Sequence, residues 1–164
     1  MPIVHEFRVP LPLTVSEFNR GSLFVIAHVS AAETSGDEGI EWLSSEPYSN
    51  LDGSAPPSRF SGTAVPANAG QYTLKRYHMA SKLPKIVAHL VPANALFLIE
   101  EAWNAYPHCK TILTSGYLDA ARFSISIESM HLEGPPTEEN ALRLSEAELK
   151  ARSIEYIDIR SAQR

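Results

Sequence analysis

This chain is poor in the features that most function classes require. It has one cysteine, Cys109, in 164 residues, so no internal disulfide can form and the composition suits a reducing compartment. Its longest apolar run, Leu23 to Val29, is broken by His28 and is far too short to span a bilayer. Basic residues are few and scattered: 14 Lys and Arg against 19 Asp and Glu, for a net charge of −5. With no basic stripe to collect phosphates, nucleic acid is not an expected partner, and neither is a polybasic grip on anionic membranes. The six His residues show no H-x-x-x-H or H-E-x-x-H spacing and there is no C-x-x-C, so no metal is expected. G-x-S-x-G, P-loop and G-x-G-x-x-G strings are missing too, which removes the commonest hydrolase and nucleotide readings. Charge enters the N-terminus too early for a signal peptide. The expectation is a soluble, cytoplasmic, single-domain protein with no cofactor.

Apolar residues, 44% of the chain, are enough to build a core at this length. Strand patterns cover Ile3 to Leu11, Glu38 to Tyr48, Gln71 to Ser81, Ala95 to Ala105, Cys109 to Ser115, Arg122 to His131 and Arg152 to Ile159. In the sixth, Phe123, Ile125 and Ile127 alternate with Ser124, Ser126 and Glu128, as in a half-buried antiparallel strand. Thr14-Val15-Ser16-Glu17 is a capping box opening a helix that runs to about Ser30, with Phe18, Val25, Ile26 and Val29 on one face. A helical turn is expected around Pro84 to Leu90. A helix is expected from Thr137 to about Leu144, restarted by the capping box Ser145-Glu146-Ala147-Glu148. Asn50 to Gly70 collects Ser, Gly, Pro, Ala and Asn without period and reads as a mobile loop. The sum is an α+β plan, a long antiparallel meander with helices grouped apart from it. Such a sheet gripping a helix can enclose an apolar cavity, although pattern alone does not separate a cavity from a filled core.

Glu101 to Thr111, E-A-W-N-A-Y-P-H-C-K-T, breaks ordinary strand logic. Asn is depleted in strands and Pro removes a ladder donor, and such breaches concentrate where a site is built. Cys109 and His108 are adjacent, so in a strand they point to opposite faces and make a poor nucleophile–base pair. A small buried apolar role for Cys109 is favoured over catalysis. Thr73 and Lys75 are two apart in a strand and share a face. On residues alone, that face is either a solvated polar surface or a cavity wall. Asn104 by itself reads as a strand-end residue bonding its own backbone ahead of Pro107.

Three strings resemble the phosphatidylinositol transfer protein family: E-G-I-E-W-L-S-S-E-P-Y (Glu38 to Tyr48), G-Q-Y-T-L-K-R-Y-H (Gly70 to His78) and A-W-N-A-Y-P-H-C-K-T (Ala102 to Thr111). Weaker similarity runs from the first strand to Y-I-D-I at Tyr156 to Ile159. The resemblance implies a helix-grip (START-like) fold with a curved antiparallel sheet, taking up one phospholipid whole. It implies that Thr73, Lys75 and Asn104 hold the inositol ring. Thr111, Ser129 and Ser22 are implied around the phosphate, with Ser22 standing where animal members carry a longer Gln. Cys109 is implied as a pocket-lining thiol. A Lys held away from water needs a partner, and an anionic phosphoinositide would supply it. Family members continue for roughly a hundred residues beyond the position of Arg164. Against that pattern the chain reads as one domain truncated at its C-terminus, lacking a further strand and a long closing helix.

The function so implied is binding and intermembrane transfer of phosphatidylinositol and phosphatidylcholine by a non-enzymatic carrier that touches membranes transiently. The alternative is a short lipid-binding or interaction module of the same fold that does not transfer.

Overall fold

The computed structural model describes residues 3–33, 39–78, 97–135 and 137–159. Five strands make one antiparallel sheet in simple chain order: β2 (Ile40–Ser49), β3 (Ala69–His78), β4 (Phe97–Ala105), β5 (His108–Ser115) and β6 (Ser124–Met130). β1 (Val4–Arg8) and β7 (Arg152–Tyr156) pair with each other in parallel as a separate two-stranded sheet. The described helices are α1 (Val15–Glu33) and the short α2 (Glu146–Ala151).

Both capping boxes form. The Thr14 backbone N–H donates to Glu17 Oε2 at 2.8 Å while the Glu17 N–H donates to Thr14 Oγ1 at 3.2 Å, satisfying donors that a first turn otherwise leaves open. Ser145 and Glu148 repeat the arrangement at α2.

Two expectations are corrected. The meander does not take in the first and last strands. Their mutual pairing is closed by Glu6, whose carboxylate receives Arg8 Nε at 2.5 Å and an Arg152 guanidinium nitrogen at 2.6 Å. Both arginines also donate to the Glu139 carbonyl, each at 2.9 Å, tying the segment before α2 to this sheet. That segment is the second correction: the helix expected over Thr137 to Leu144 is a set of turns. The Asn140 side chain captures both the N–H (2.8 Å) and the carbonyl (3.0 Å) of Leu144, and Arg143 takes a left-handed φ of 55°. Local capture of backbone groups by an Asn side chain competes directly with helix formation. The turn expected around Pro84 to Leu90 lies outside the described residues.

Cross-strand register sorts the large sheet into two faces. On the outer face Tyr72, Trp103 and Ile112 form a buried cluster joined by Tyr48, Val65 and Leu74, with the Tyr72 and Trp103 ring centroids 5.4 Å apart. The stretch joining β2 to β3 is as aperiodic as its composition suggests, and it is fastened over this face. The Tyr48 hydroxyl and the Asn50 amide donate to the Pro66 carbonyl (2.6 and 3.1 Å), and Lys110 donates to the Ala64 carbonyl (2.9 Å). Each large side chain so covered contributes about 1.5–3 kcal/mol of apolar burial. The other face is left to α1.

Candidate functional site

Three successive cross-strand rows build the inner face. Lys75 lies opposite Glu100, which lies opposite Leu113. In the next row Thr73, Ala102 and Thr111 are neighbours. In the third, Gln71, Asn104, Cys109 and Ser129 stand side by side. Partners in register put their side chains on one face, so the alternation that joins Thr73 to Lys75 also gathers residues from four strands.

α1 lies over these rows. At one end Phe18 and Tyr106 each place a ring centroid 4.8 Å from that of His131, and the Ser22 and Tyr106 hydroxyls are 3.0 Å apart. Further along the helix, Val25, Ile26 and Val29 face the sheet across a cavity of about 420 Å³. Its floor and far wall are Ile40, Lys75, Tyr77, Glu100, Ala102, Asn104 and Thr111. The cavity is open: Val25, Ile26 and Val29 remain 55%, 42% and 48% exposed, and Ile125 and Ile127 on the edge strand β6 are 45% and 55% exposed. A trough with one apolar wall and a few convergent polar groups suits an amphiphile, with its polar end on the sheet and its hydrocarbon along the helix and β6.

The polar groups are held firmly. Lys75 Nζ donates to Glu100 Oε1 at 3.0 Å, and the Tyr77 hydroxyl donates to Glu100 Oε2 at 2.7 Å. Lys75 Nζ also sits 4.6 Å from the centroid of the Trp42 ring, a cation–π distance. Burial, followed by the adjoining Glu100 carboxylate, pushes the Tyr77 phenol well above its usual range, so it stays a donor. The Thr73 hydroxyl is buried with no hydrogen-bond partner among the described residues, an arrangement that is uncommon because an unpaired buried hydroxyl costs free energy.

The residues singled out from sequence therefore fall into two groups. Lys75, Asn104 and Thr111 line the cavity together, with Thr73 in the row between them. Cys109, Ser129 and Ser22 lie nearer the β4–β5 turn. Ser129 Oγ is 3.1 Å from His131 Nε2, and Ser22 also donates to the Asn19 carbonyl at 2.9 Å. Cys109 is half-buried, and burial pushes its thiol up, away from the reactive thiolate. His108 turns to the opposite face and meets Glu128 at 3.1 Å, so the two neighbours do not form a catalytic pair. Among the described residues no group of three or more His, Cys, Asp or Glu side chains could hold a metal ion, and no helix is long and apolar enough to cross a membrane.

Glu100, Tyr77 and Trp42 were not foreseen. The sequence shows two consecutive acids in a strand, Glu100 and Glu101, and alternation sends them to opposite faces. Which of them meets Lys75 depends on the β3–β4 register, which is not a local property. The partner that Lys75 requires is thus supplied within the protein.

Comparison with known proteins agrees with this geometry. The family model described as "Phosphatidylinositol transfer protein" matches residues 2–164. The chain is 45% identical to phosphatidylinositol transfer protein 1 of Dictyostelium discoideum over 157 residues, covering 96% of this chain and 53% of that protein. It is 38% identical to phosphatidylinositol transfer protein 2 of the same organism, covering 98% of this chain and 56% of the relative. With the beta isoform of mouse (Mus musculus) the identity is 42%, covering 97% of this chain and 53% of the relative. The chain spans about half the length of these curated relatives. The match runs through every row of the inner face, and the chain belongs to the phosphatidylinositol transfer protein family.

Proposed function

We propose that this chain binds a phospholipid in the trough between α1 and the sheet and carries it between membranes, with phosphatidylinositol and phosphatidylcholine as ligands and no covalent chemistry. One observation carries the reading: an apolar helix face stands across an open cavity from Lys75, Asn104 and Thr111, beside a buried Thr73 hydroxyl without a partner. Thr73, Lys75 and Asn104 hold the inositol ring in this reading. Thr111 takes the phosphate, helped by Ser129 and Ser22 once these turn from His131 and Tyr106, and Cys109 forms pocket wall. The fold is read as helix-grip (START-like), and the site of action as the cytoplasm with transient contact at membrane surfaces.

The physical demand on a carrier is large. At about 0.8 kcal/mol per methylene, two acyl chains cost on the order of 20 kcal/mol to expose. A transferring protein must cover that hydrocarbon in transit. The half-exposed Val25, Ile26 and Val29 are the observation that favours the second reading, a module that retains lipid without moving it.

Incubation with mixed phosphatidylinositol–phosphatidylcholine vesicles, native mass spectrometry of the re-isolated protein and a vesicle-to-vesicle transfer assay test both readings. One retained phospholipid per chain with transfer supports the carrier. Retention without transfer supports the module. A protein that retains no phospholipid defeats both.

A further inference from the structure

We propose that Glu100 sets the charge of the headgroup the cavity accepts, admitting an uncharged polyol ring and turning away one that bears ring phosphates. The inference rests on the lipid-binding reading above and deepens it.

Lys75 and Glu100 are the charged side chains among the described residues lining the cavity. They lie 3.0 Å apart, with side chains only 10% and 12% exposed. The lysine that would attract an anion is therefore already neutralised, in a place where water screens little. Neither partner is free to turn away: the Tyr77 hydroxyl holds the second carboxylate oxygen at 2.7 Å, and the Trp42 ring backs the ammonium at 4.6 Å.

A neutral ion pair presents a donor and an acceptor side by side. A hydroxyl can donate and accept at once, so vicinal ring hydroxyls can bond the ammonium and the carboxylate together. The unpartnered Thr73 hydroxyl, one row away, offers a further donor or acceptor. An ionised ring phosphate differs in kind. It only accepts, and it brings about −1.5 to −2 of charge against Glu100, with no uncompensated cation to receive it. Like charges forced together at a poorly solvated site are strongly disfavoured.

The experiment uses the purified chain, loaded from phosphatidylcholine vesicles containing equal fractions of phosphatidylinositol and phosphatidylinositol 4-phosphate, with the retained lipids counted by native mass spectrometry. The unaltered chain is expected to favour the unphosphorylated lipid by about tenfold or more, the scale of a little over 1 kcal/mol. Glu100→Gln keeps the shape and an acceptor for Tyr77 but leaves the Lys75 charge uncancelled, and is expected to shift the ratio about tenfold toward the phosphorylated lipid. Should that variant fail to fold, the double variant Lys75→Met with Glu100→Gln leaves no buried charge alone. It is expected to retain the two lipids to within about threefold of each other, because the repelling carboxylate is gone.

Equal retention of both lipids by the unaltered chain overturns the proposal. So does an unchanged ratio in folded Glu100→Gln, or undiminished discrimination in the double variant. Failure to retain any phospholipid overturns the lipid-binding reading and this inference with it; retention without discrimination overturns the role of Glu100 alone.

Discussion

Ser58 donates its hydroxyl to the Glu101 carboxylate, joining the β2–β3 loop to a strand 43 residues further along the chain. Glu101 is 1% exposed. It also receives the Arg59 N–H at 3.3 Å and the Tyr72 hydroxyl at 3.1 Å, and burial with that carboxylate nearby pushes the Tyr72 phenol up to about 12. A buried carboxylate is tolerable when it is this well supplied with donors. Ser58→Ala removes one charge-assisted hydrogen bond and is expected to cost ~1.5–3 kcal/mol, read from the urea midpoint. Hydrogen exchange should show amides of the β2–β3 loop opening faster in the variant. An unchanged midpoint would mean that the loop is not fastened through Glu101.

Gly70 lies where no side chain fits. A Cβ placed on it would stand 2.0 Å from the Asn104 carbonyl oxygen and 2.8 Å from Ala105 Cα. These are backbone atoms, so the strands themselves must part to admit it. Gly70→Ala is expected to destabilise the chain by about 1–3 kcal/mol, the usual cost of overpacking, and to displace Asn104 from the cavity wall. Thermal unfolding reads the first effect and phosphatidylinositol retention the second. A variant as stable as the parent would show that β3 and β4 do not approach this closely.

Thr73 offers a separation of stability from binding. Its hydroxyl is buried without a partner among the described residues, so Thr73→Val, nearly identical in shape, removes a cost from the lipid-free protein. Stability is expected to hold or rise by up to about 1 kcal/mol, while phosphatidylinositol retention falls by the worth of one hydrogen bond, ~0.5–1.5 kcal/mol. Loss of stability with unchanged retention would assign the hydroxyl a structural role.

His131 makes the seating of α1 sensitive to acid. It lies against the Phe18 and Tyr106 rings and meets Ser129 Oγ, while nearby Glu133 accepts the Val15 N–H at 2.8 Å. Burial pushes the imidazole below its ordinary 6.5. The unfolded chain therefore takes up a proton at a higher pH than the folded one does. The contribution of His131 is complete above 6.5 and is lost as pH falls from there through the depressed folded value. Unfolding temperature should drop by several degrees on acidification from pH 7 to 5, with α1 amides exchanging sooner. His131→Phe keeps the ring stack and should flatten that part of the profile. A variant with the parent's pH dependence would place the titration elsewhere.

Where structure is encoded within a few residues, the chain could be read directly. Thr14 with Glu17 and Ser145 with Glu148 form the boxes their spacing predicts. The period-two pattern locates β2 to β6, and it puts Thr73 and Lys75 on one face before any partner is known. The failures are equally physical. Thr137 to Leu144 has helical composition, but Asn140 spends its amide on Leu144 and Arg143 turns left-handed. That competition between a side chain and the backbone ladder is decided by geometry that a periodicity count does not see. β1 and β7 look like any other strands, yet they pair with each other because Glu6 and Arg152 meet across nearly the whole chain.

The residue types of the inner face, the alternation that sorts them and the caps that start both helices were thus determined by the sequence itself. Which residues answer one another was decided only in three dimensions. Lys75 meets Glu100 rather than Glu101, and Ser58 meets Glu101 instead, because strand register is set by pairing between distant segments. A slip of one residue would exchange the two acids between faces. The same folding leaves Thr73 without a partner and holds α1 away from the sheet, and it is that gap, not any motif, that makes a cavity of these residues.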